Sequence, residues 1–129
     1  MERTIVNPAT GIYPATSDYV HALEVVGANR QLFVSGTMGL DLQGRAPDSL
    51  EEQLDLIWSN LRRILGEVNM TTANIARVTS YLTKSSYAEK NQNARLAALG
   101  ENKVPTTAIV VQTLSPEWLV EIEIIAVAE

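Results

Sequence analysis

Two glutamates stand two residues apart near the end of the chain, in the run Leu119–Ala128 (LVEIEIIAVA). Side chains of a strand alternate between its faces, so Glu121 and Glu123 point the same way, together with Leu119, Ile125 and Val127. Val120, Ile122, Ile124, Ala126 and Ala128 form the opposite, wholly apolar face. A carboxylate withdrawn from water at such a place would resist ionisation, and could hold a water or pass a proton. The plainer alternative for Glu121 is a salt bridge to Arg77 or Arg95. Tyr19 and His21 also handle protons and share one face of the alternating run Tyr19–Val26. The plainer readings there are a half-buried packing tyrosine and a satisfied strand histidine. Ser35, His21 and Glu121 could in principle compose a hydrolytic triad, but no nucleophile-elbow pattern surrounds Ser35.

Other chemistries are poorly supplied. One histidine and no cysteine cannot build a standard zinc site. His21 with Glu121 and Glu123 is the only ligand set to hand, and nothing in their spacing demands a metal, so no metal is expected. Gly36 and Gly39, flanking Thr37-Met38, are too few for a phosphate-cradling loop, and no dinucleotide fingerprint is present.

The elements that must position these groups are short and regular. A chain of 129 residues is expected to be one domain spanning 1–129. It is 46% hydrophobic and 19% charged, an ordered composition. The net charge of −5 and the absence of any Lys/Arg cluster argue against a broad nucleic-acid footprint. No apolar run has the length of a membrane span, and MERTIVNPAT lacks the layout of a signal peptide. The expectation is a soluble, cytoplasmic protein, away from membranes.

Thr4–Asn7 fits a short strand, and the turn-rich stretch Pro8–Asp18 an ordered loop. Tyr19–Val26 and Gln31–Ser35, joined by Gly27–Arg30, read as an antiparallel hairpin. Ser49-x-x-Glu52 is a capping box opening a helix that carries Leu50, Leu54, Ile57, Leu61, Ile64 and Val68 as its apolar stripe, widened by Trp58 and Leu65, and ends near Asn69. Ile75–Thr83 is a strand by its β-branched content. Ser86-x-x-Glu89 is a second capping box, opening a helix through Leu99 with Gly100 as its C-terminal cap. Asn91 and Arg95 share one face of that helix. Thr106–Gln112 and Leu119–Ala128 complete the strands.

Two helices cover one face of a four- or five-stranded mixed sheet and leave the other bare. That bare face carries Leu119, Ile125 and Val127 beside Glu121 and Glu123. An apolar sheet face without a cover predicts association, hence a symmetric homo-oligomer with its sheets inward.

The segments Y-V-H-A-L-E-V at 19–25, L-F-V-S-G-T at 32–37, A-P-D-S-L-E-E-Q at 46–53, V-P-T-T-A at 104–108 and L-V-E-I-E-I-I-A-V at 119–127 resemble, in order, those of the Rid/YjgF family, also known under the name L-PSP endoribonuclease. The resemblance implies a chorismate-mutase-like α+β subunit with a mixed sheet and two helices on one face, assembled as a homotrimer with clefts between subunits. It implies hydrolysis of enamine or imine intermediates to 2-oxo acids and ammonia, without a cofactor. Carried over by position, Glu121 positions the attacking water and Tyr19 joins it as a catalytic residue. Ser35, Gly36 and Asn91 bind substrate.

One position departs from the pattern. The family arginine that grips the substrate carboxylate falls on Thr107. A guanidinium pairs a carboxylate through two charge-assisted bonds, whereas threonine offers one neutral hydroxyl. Such a loss is worth a few kcal/mol of binding, about a hundredfold or more in affinity. The chain thus resembles an arginine-lacking branch of the family. Arg95 could replace the missing charge, or the substrate could lack a carboxylate there, with Thr107, His21 and Tyr19 shaping a less charged pocket. The second is favoured, because Arg95 belongs to a helix expected to pack over the outer sheet face. The expected function is a Rid-like hydrolase or deaminase of a small enamine, imine or related metabolite, other than the standard 2-imino acids. The rivals are a non-catalytic small-molecule-binding or regulatory trimer, and an endoribonuclease, which the acidic balance disfavours.

Overall fold

The computed structural model describes residues 1–129. Its elements run β1 (Glu2–Val6), β2 (Ala22–Val26), β3 (Arg30–Met38), α1 (Leu50–Glu67), β4 (Ile75–Leu82), α2 (Ala88–Leu99), β5 (Thr106–Val110) and β6 (Val120–Ala128). Strands β3, β6, β4 and β5 form one mixed sheet in that spatial order. The most apolar strand, β6, is central and pairs antiparallel with β3 and β4. Strands β4 and β5 are parallel, because α2 carries the chain back between them.

Local chemistry sets the helix ends. The Ser49 hydroxyl accepts from the Glu52 N–H at 3.1 Å, and Glu51 and Glu52 lie in the first turn, where the helix dipole favours acids. At the other end Asn69 takes a left-handed conformation (φ 57°), while Met70 N–H donates to the Leu65 carbonyl at 2.9 Å and Asn69 N–H to that of Gly66 at 3.2 Å. These two bonds make a Schellman stop. The buried stripe is Leu50, Leu54, Ile57, Trp58, Leu61 and Leu65. Ile64, expected in it, is 37% exposed, because the stripe follows the four-residue step from Leu61 to Leu65 and leaves Ile64 at its margin. The second capping box does not form. Ser85–Tyr87 make a 3-10 turn that runs directly into α2, and no side chain caps it. Gly100 ends α2 with φ 59°.

Both helices pack on the face of the sheet bearing Val120, Ile122, Ile124 and Ala126, which meet Ile57, Leu61 and Leu65 in one core. The expected hairpin of Tyr19–Val26 with Gln31–Ser35 is not what forms. Strand β2 pairs with β1 as a separate two-stranded ribbon, from Glu2↔Val26 to Val6↔Ala22, while β3 pairs with β6. The alternation of β2 suits either partner. The long match of Arg30–Met38 to the apolar β6 takes β3, and β2 is left to β1. Arg3 fastens the ribbon by donating to the carbonyl of Ile75 at 2.8 Å and to Asn102 Oδ1 at 3.1 Å.

The opposite face of the sheet is uncovered. Paired residues across it form three rows: Phe33, Ile125 and Arg77; Glu123, Thr79 and Thr107; Glu121, Tyr81 and Ile109. Phe33 is 68% exposed, and β5 is an edge strand whose residues Thr107–Val110 are all exposed. No helix is long and apolar enough to cross a membrane.

Candidate functional site

The ladder between β3 and β6 is interrupted at one place. Val34 pairs with Ile124 and Thr37 with Ile122, so three steps along β3 oppose two along β6. Ser35 and Gly36 occupy this bulge, a device that bends a strand and re-aims its groups. Glu121 lies against the bulge. A Cβ on Gly36 would stand 2.8 Å from the Glu121 carboxyl carbon and closer still to Oε2. Glycine at this position therefore lets the carboxylate rest on the backbone, although its own φ lies outside the left-handed region. Ser35 is exposed, and its carbonyl accepts from the Thr37 hydroxyl at 3.0 Å.

Gly36, Glu121, Glu123 and Tyr81 line a common open cavity of about 340 Å³, together with Val111–Leu114. The Tyr81 hydroxyl donates to Glu123 Oε1. That bond, assisted by burial and the nearby charges of Glu123 and Glu121, holds the Tyr81 proton on and raises its pKa above the ordinary value. Glu123 is thus engaged, whereas Glu121 enters no hydrogen bond or ion pair within the chain. The salt bridge from Glu121 to Arg77 or Arg95, weighed from sequence, is absent.

A second cavity, of about 200 Å³, lies between α2 and the β4–β5 edge. It is lined by Asp18, Tyr19, Asn91, Arg95, Thr106 and Thr107, among others. Arg95 is buried. It donates to the Asp18 carbonyl at 2.7 Å and to its carboxylate at 2.9 Å. Burial alone would push the Asp18 carboxyl up, but the Thr16 hydroxyl and the Arg95 guanidinium outweigh it and hold the pKa below the usual carboxylate value. Arg95 therefore lines this cavity, the option that sequence reasoning ranked second, and arrives there with its charge matched. Asn91 is 3% exposed and its Oδ1 has no hydrogen-bond partner. A buried acceptor left unpaired costs about 1–3 kcal/mol, and Asn91 stands in the wall of this cavity. The Thr107 hydroxyl turns to the uncovered sheet face, where it accepts from Arg77 Nη2 at 3.1 Å.

The residues singled out from sequence thus fall into two groups. Gly36 and Glu121 stand at one cavity, with Ser35 beside them in the bulge. Tyr19, Asn91 and Thr107 stand at the other. His21 lines neither cavity. Its Nε2 is hydrogen-bonded to the Tyr13 carbonyl at 2.8 Å, and its ring packs edge-on against Tyr13 and Tyr19 with centroids 5.0 and 5.8 Å away. His21 so fixes the loop that delivers Tyr19. No three His, Asp or Glu side chains gather closely enough to hold a metal ion.

Tyr81 and the wider part of Arg77, weighed from the sequence only as a salt-bridge partner of Glu121, went unnoticed, as did Asp18. Arg77, Thr79 and Tyr81 alternate along β4, a polar face of period two that could have drawn attention to the first two. Asp18 sits in a loop, and its partner Arg95 is 77 residues away, a pairing that no local pattern announces.

The family model described as Endoribonuclease L-PSP matches residues 11–128. No curated protein is matched by the sequence. Among solved structures, the chain is similar to YyfB of Yersinia pestis, described as a protein of unknown function of the conserved Rid family, with 26% identity, 99% of this chain and 100% of that one covered, and a TM-score of 0.85. A member of the YjgF/YER057c/UK114 family from Mycobacterium tuberculosis is 23% identical over 98% of this chain and 100% of its own, with a TM-score of 0.69. RidA from the Antarctic bacterium Psychrobacter sp. is 22% identical over 88% of this chain and 91% of its own, with a TM-score of 0.73. The last two likenesses concern the fold alone.

Proposed function

The chain belongs to the Rid/YjgF family, the group of the L-PSP model, and on that premise we propose that it hydrolyses a small imine or enamine in a cleft between subunits of a homotrimer. The observation that carries this reading is the Glu121 carboxylate, seated on the Gly36 bulge and free of any partner while its neighbour Glu123 is engaged by Tyr81. An unpartnered carboxylate beside a cavity can orient a water and take its proton. The water oxygen bonds to the imine carbon as the nitrogen gains a proton. The resulting carbinolamine then expels ammonia, its C–N bond breaking as the hydroxyl becomes a carbonyl. No cofactor is needed for this sequence of steps.

The second cavity supplies the binding half, with Tyr19, Asn91 and Thr107 on its wall, although the Thr107 hydroxyl itself faces the open side of the sheet. Neither half is a site alone. The uncovered sheet face and the exposed β5 edge support a second copy bringing Glu121, Gly36 and Ser35 of one subunit to Tyr19, Asn91 and Thr107 of another. His21 belongs to this reading only as the support of Tyr19. With threonine at 107, the standard 2-imino acids fit poorly, and a related metabolite is the better substrate.

The Thr107 hydroxyl, already occupied by Arg77, favours one rival, a trimer that binds a small molecule without turning it over. Supplying 2-iminobutanoate from a threonine dehydratase and following 2-oxobutanoate release separates the two. Acceleration lost in Glu121→Ala supports hydrolysis. No acceleration by the native protein, but a clear gain in Thr107→Arg, supports an intact site with a different substrate. Inertness of both, together with inertness towards other imines, leaves binding alone. RNA cleavage that disappears with Glu121→Ala would instead favour a nuclease. A monomeric sedimentation mass would refute the inter-subunit cleft.

A further inference from the structure

Strand β4 turns one hydroxyl toward the helices, into surroundings that are otherwise apolar. Val78, Ser80 and Leu82 are its buried, helix-facing positions, and Val78 and Leu82 belong to the core. Across the sheet Ser80 pairs with Ile122 of β6 and Ala108 of β5. It is 2% exposed, and its hydroxyl makes no hydrogen bond within the chain. A hydroxyl withdrawn from water without a partner costs stability, and a valine would fill such a place without that cost. The cost is offset when something in the adjoining space takes the bond.

That space is the cavity of about 200 Å³ between α2 and the β4–β5 edge. Ser80 lines it together with Thr106, two residues before its partner Ala108, and with Asn91 of α2. Asn91 is as deeply buried, and its side chain also makes no hydrogen bond. Two unpartnered polar side chains, one from the strand and one from the helix, therefore stand in the wall of one cavity. A single water needs only about 10–15 Å³ of such space, so a small molecule has room here.

The charge balance narrows what the cavity takes. Its two ionised groups are spent on each other, since Arg95 donates to the Asp18 carbonyl at 2.7 Å and to its carboxylate at 2.9 Å. An entering ion would lose its hydration and find no opposite charge left to meet it. What remains on the walls can both donate and accept: the hydroxyls of Ser80 and Thr106 and the carboxamide of Asn91. A ligand carboxamide answers such walls, being planar and neutral, with N–H donors on one atom and an acceptor on another.

We infer that this cavity is a binding site for a small neutral carboxamide, recognised by Ser80 and Asn91. The inference deepens the binding half proposed above and rests on it only for the link to hydrolysis. Joined to that reaction, it makes the substrate an imine whose second polar group is an amide rather than an acid. One water is consumed and one ammonia released at the imine carbon, and the amide is left unchanged.

The test uses three molecules of one shape and different charge: acetamide, acetate and acetamidinium. Each is titrated into the isotope-labelled full chain in its native assembly, and the backbone amide resonances of Ser80, Asn91 and Thr106 are followed. Acetamide should shift these resonances to saturation and bind about tenfold or more tighter than either ion. Ser80→Ala should weaken acetamide by about three- to tenfold, the worth of one hydrogen bond, while the urea midpoint holds or rises because the unpartnered hydroxyl is gone. Ser80→Val should abolish binding and raise the midpoint further. A merely structural hydroxyl gives the opposite pattern, lost stability in both variants with acetamide binding unchanged, and that pattern overturns the assignment. Equal binding of acetate or acetamidinium overturns the selectivity for a neutral group, and no shift with acetamide overturns the site. Turnover is read separately. Imine hydrolysis lost in Glu121→Ala, without acetamide binding, removes this site and keeps the hydrolase reading. Acetamide binding by a protein inert towards every imine keeps the site and removes hydrolysis.

Discussion

Gly36→Ala is the sharpest probe of how Glu121 is held. A β-carbon there would lie 2.8 Å from the Glu121 carboxyl carbon and 3.1 Å from its Cγ, inside normal contact. The carboxyl end is flexible, so the side chain would swing away, at about 0.5–1.5 kcal/mol for an off-rotamer position and somewhat more if the bulge also shifts. Against this, alanine lowers the entropy of the unfolded chain, a gain of about 0.4–1 kcal/mol where the backbone permits it, and Gly36 is not left-handed. In the native background the two effects nearly cancel, with a net loss of up to about 1 kcal/mol. In a Glu121→Ala background the clash is gone and the same substitution should stabilise by about 0.5–1 kcal/mol. The coupling of about 1–2 kcal/mol is measurable in a double-mutant cycle by urea denaturation at one fixed protein concentration. Equal effects in the two backgrounds, within about 0.3 kcal/mol, would refute the contact. If Glu121 orients water as proposed, Gly36→Ala also loses about a hundredfold in turnover, since a displacement near 1 Å has that effect.

Gly39→Ala should be far worse for stability. Its Cβ would meet the backbone of Gln53, 2.6 Å from the Cα, and a helix cannot swing aside, so a loss of about 2–3 kcal/mol is expected in the same denaturation assay. Gln53→Met tests the strut beneath β6. The buried carboxamide donates to the carbonyls of Pro47 and Glu117, both at 2.8 Å, and accepts from Leu119 N–H at 3.0 Å, and an orphaned N–H with two weakened carbonyls should cost about 2–4 kcal/mol. Asp18 predicts a pH dependence. Its pKa is depressed in the folded chain, so the stability it contributes is present above the unfolded value near 3.9 and fades as pH falls through the folded value. The stability gap between native protein and Asp18→Asn should therefore be widest near neutrality and shrink below about pH 4, and a gap that does not change with pH would sink this account.

Periodicity carried most of the fold into view. The α1 stripe, the β-branched β4 and the alternation of β6 are local patterns, and each formed where its pattern lies. What escaped was pairing. Strand β2 alternates well enough to suit β3 or β1, and its own residues do not say that β6 will claim β3. Ser86 and Glu89 fit a capping box, yet a 3-10 turn carries the chain into α2 without it, because the geometry before the helix is set by how β4 ends. In the candidate site, Glu121 could be picked out because a charge in an apolar strand is conspicuous. Its cradle could not, since the extra residue at Ser35–Gly36 is visible only against the partner strand. Arg77 and Thr107 are 30 residues apart, and only the parallel register of β4 on β5 brings them together.

That extra residue separates two properties of the chain that usually travel together. On either side of the bulge, Val34 and Thr37 face the same way, toward the helices, although three positions apart. Removing Ser35 would leave them two apart, which is the natural parity of a strand, and every pairing from Arg30 to Val34 and from Thr37 to Met38 could persist. A one-residue deletion would thus regularise the ladder and erase the seat of Glu121 in the same stroke. If the chain trimerises and hydrolyses as proposed, the resulting protein should assemble like the original while lacking that chemistry, an inert twin. Read in the other direction, a regular antiparallel ladder stands a single codon insertion away from one that seats a carboxylate on its backbone.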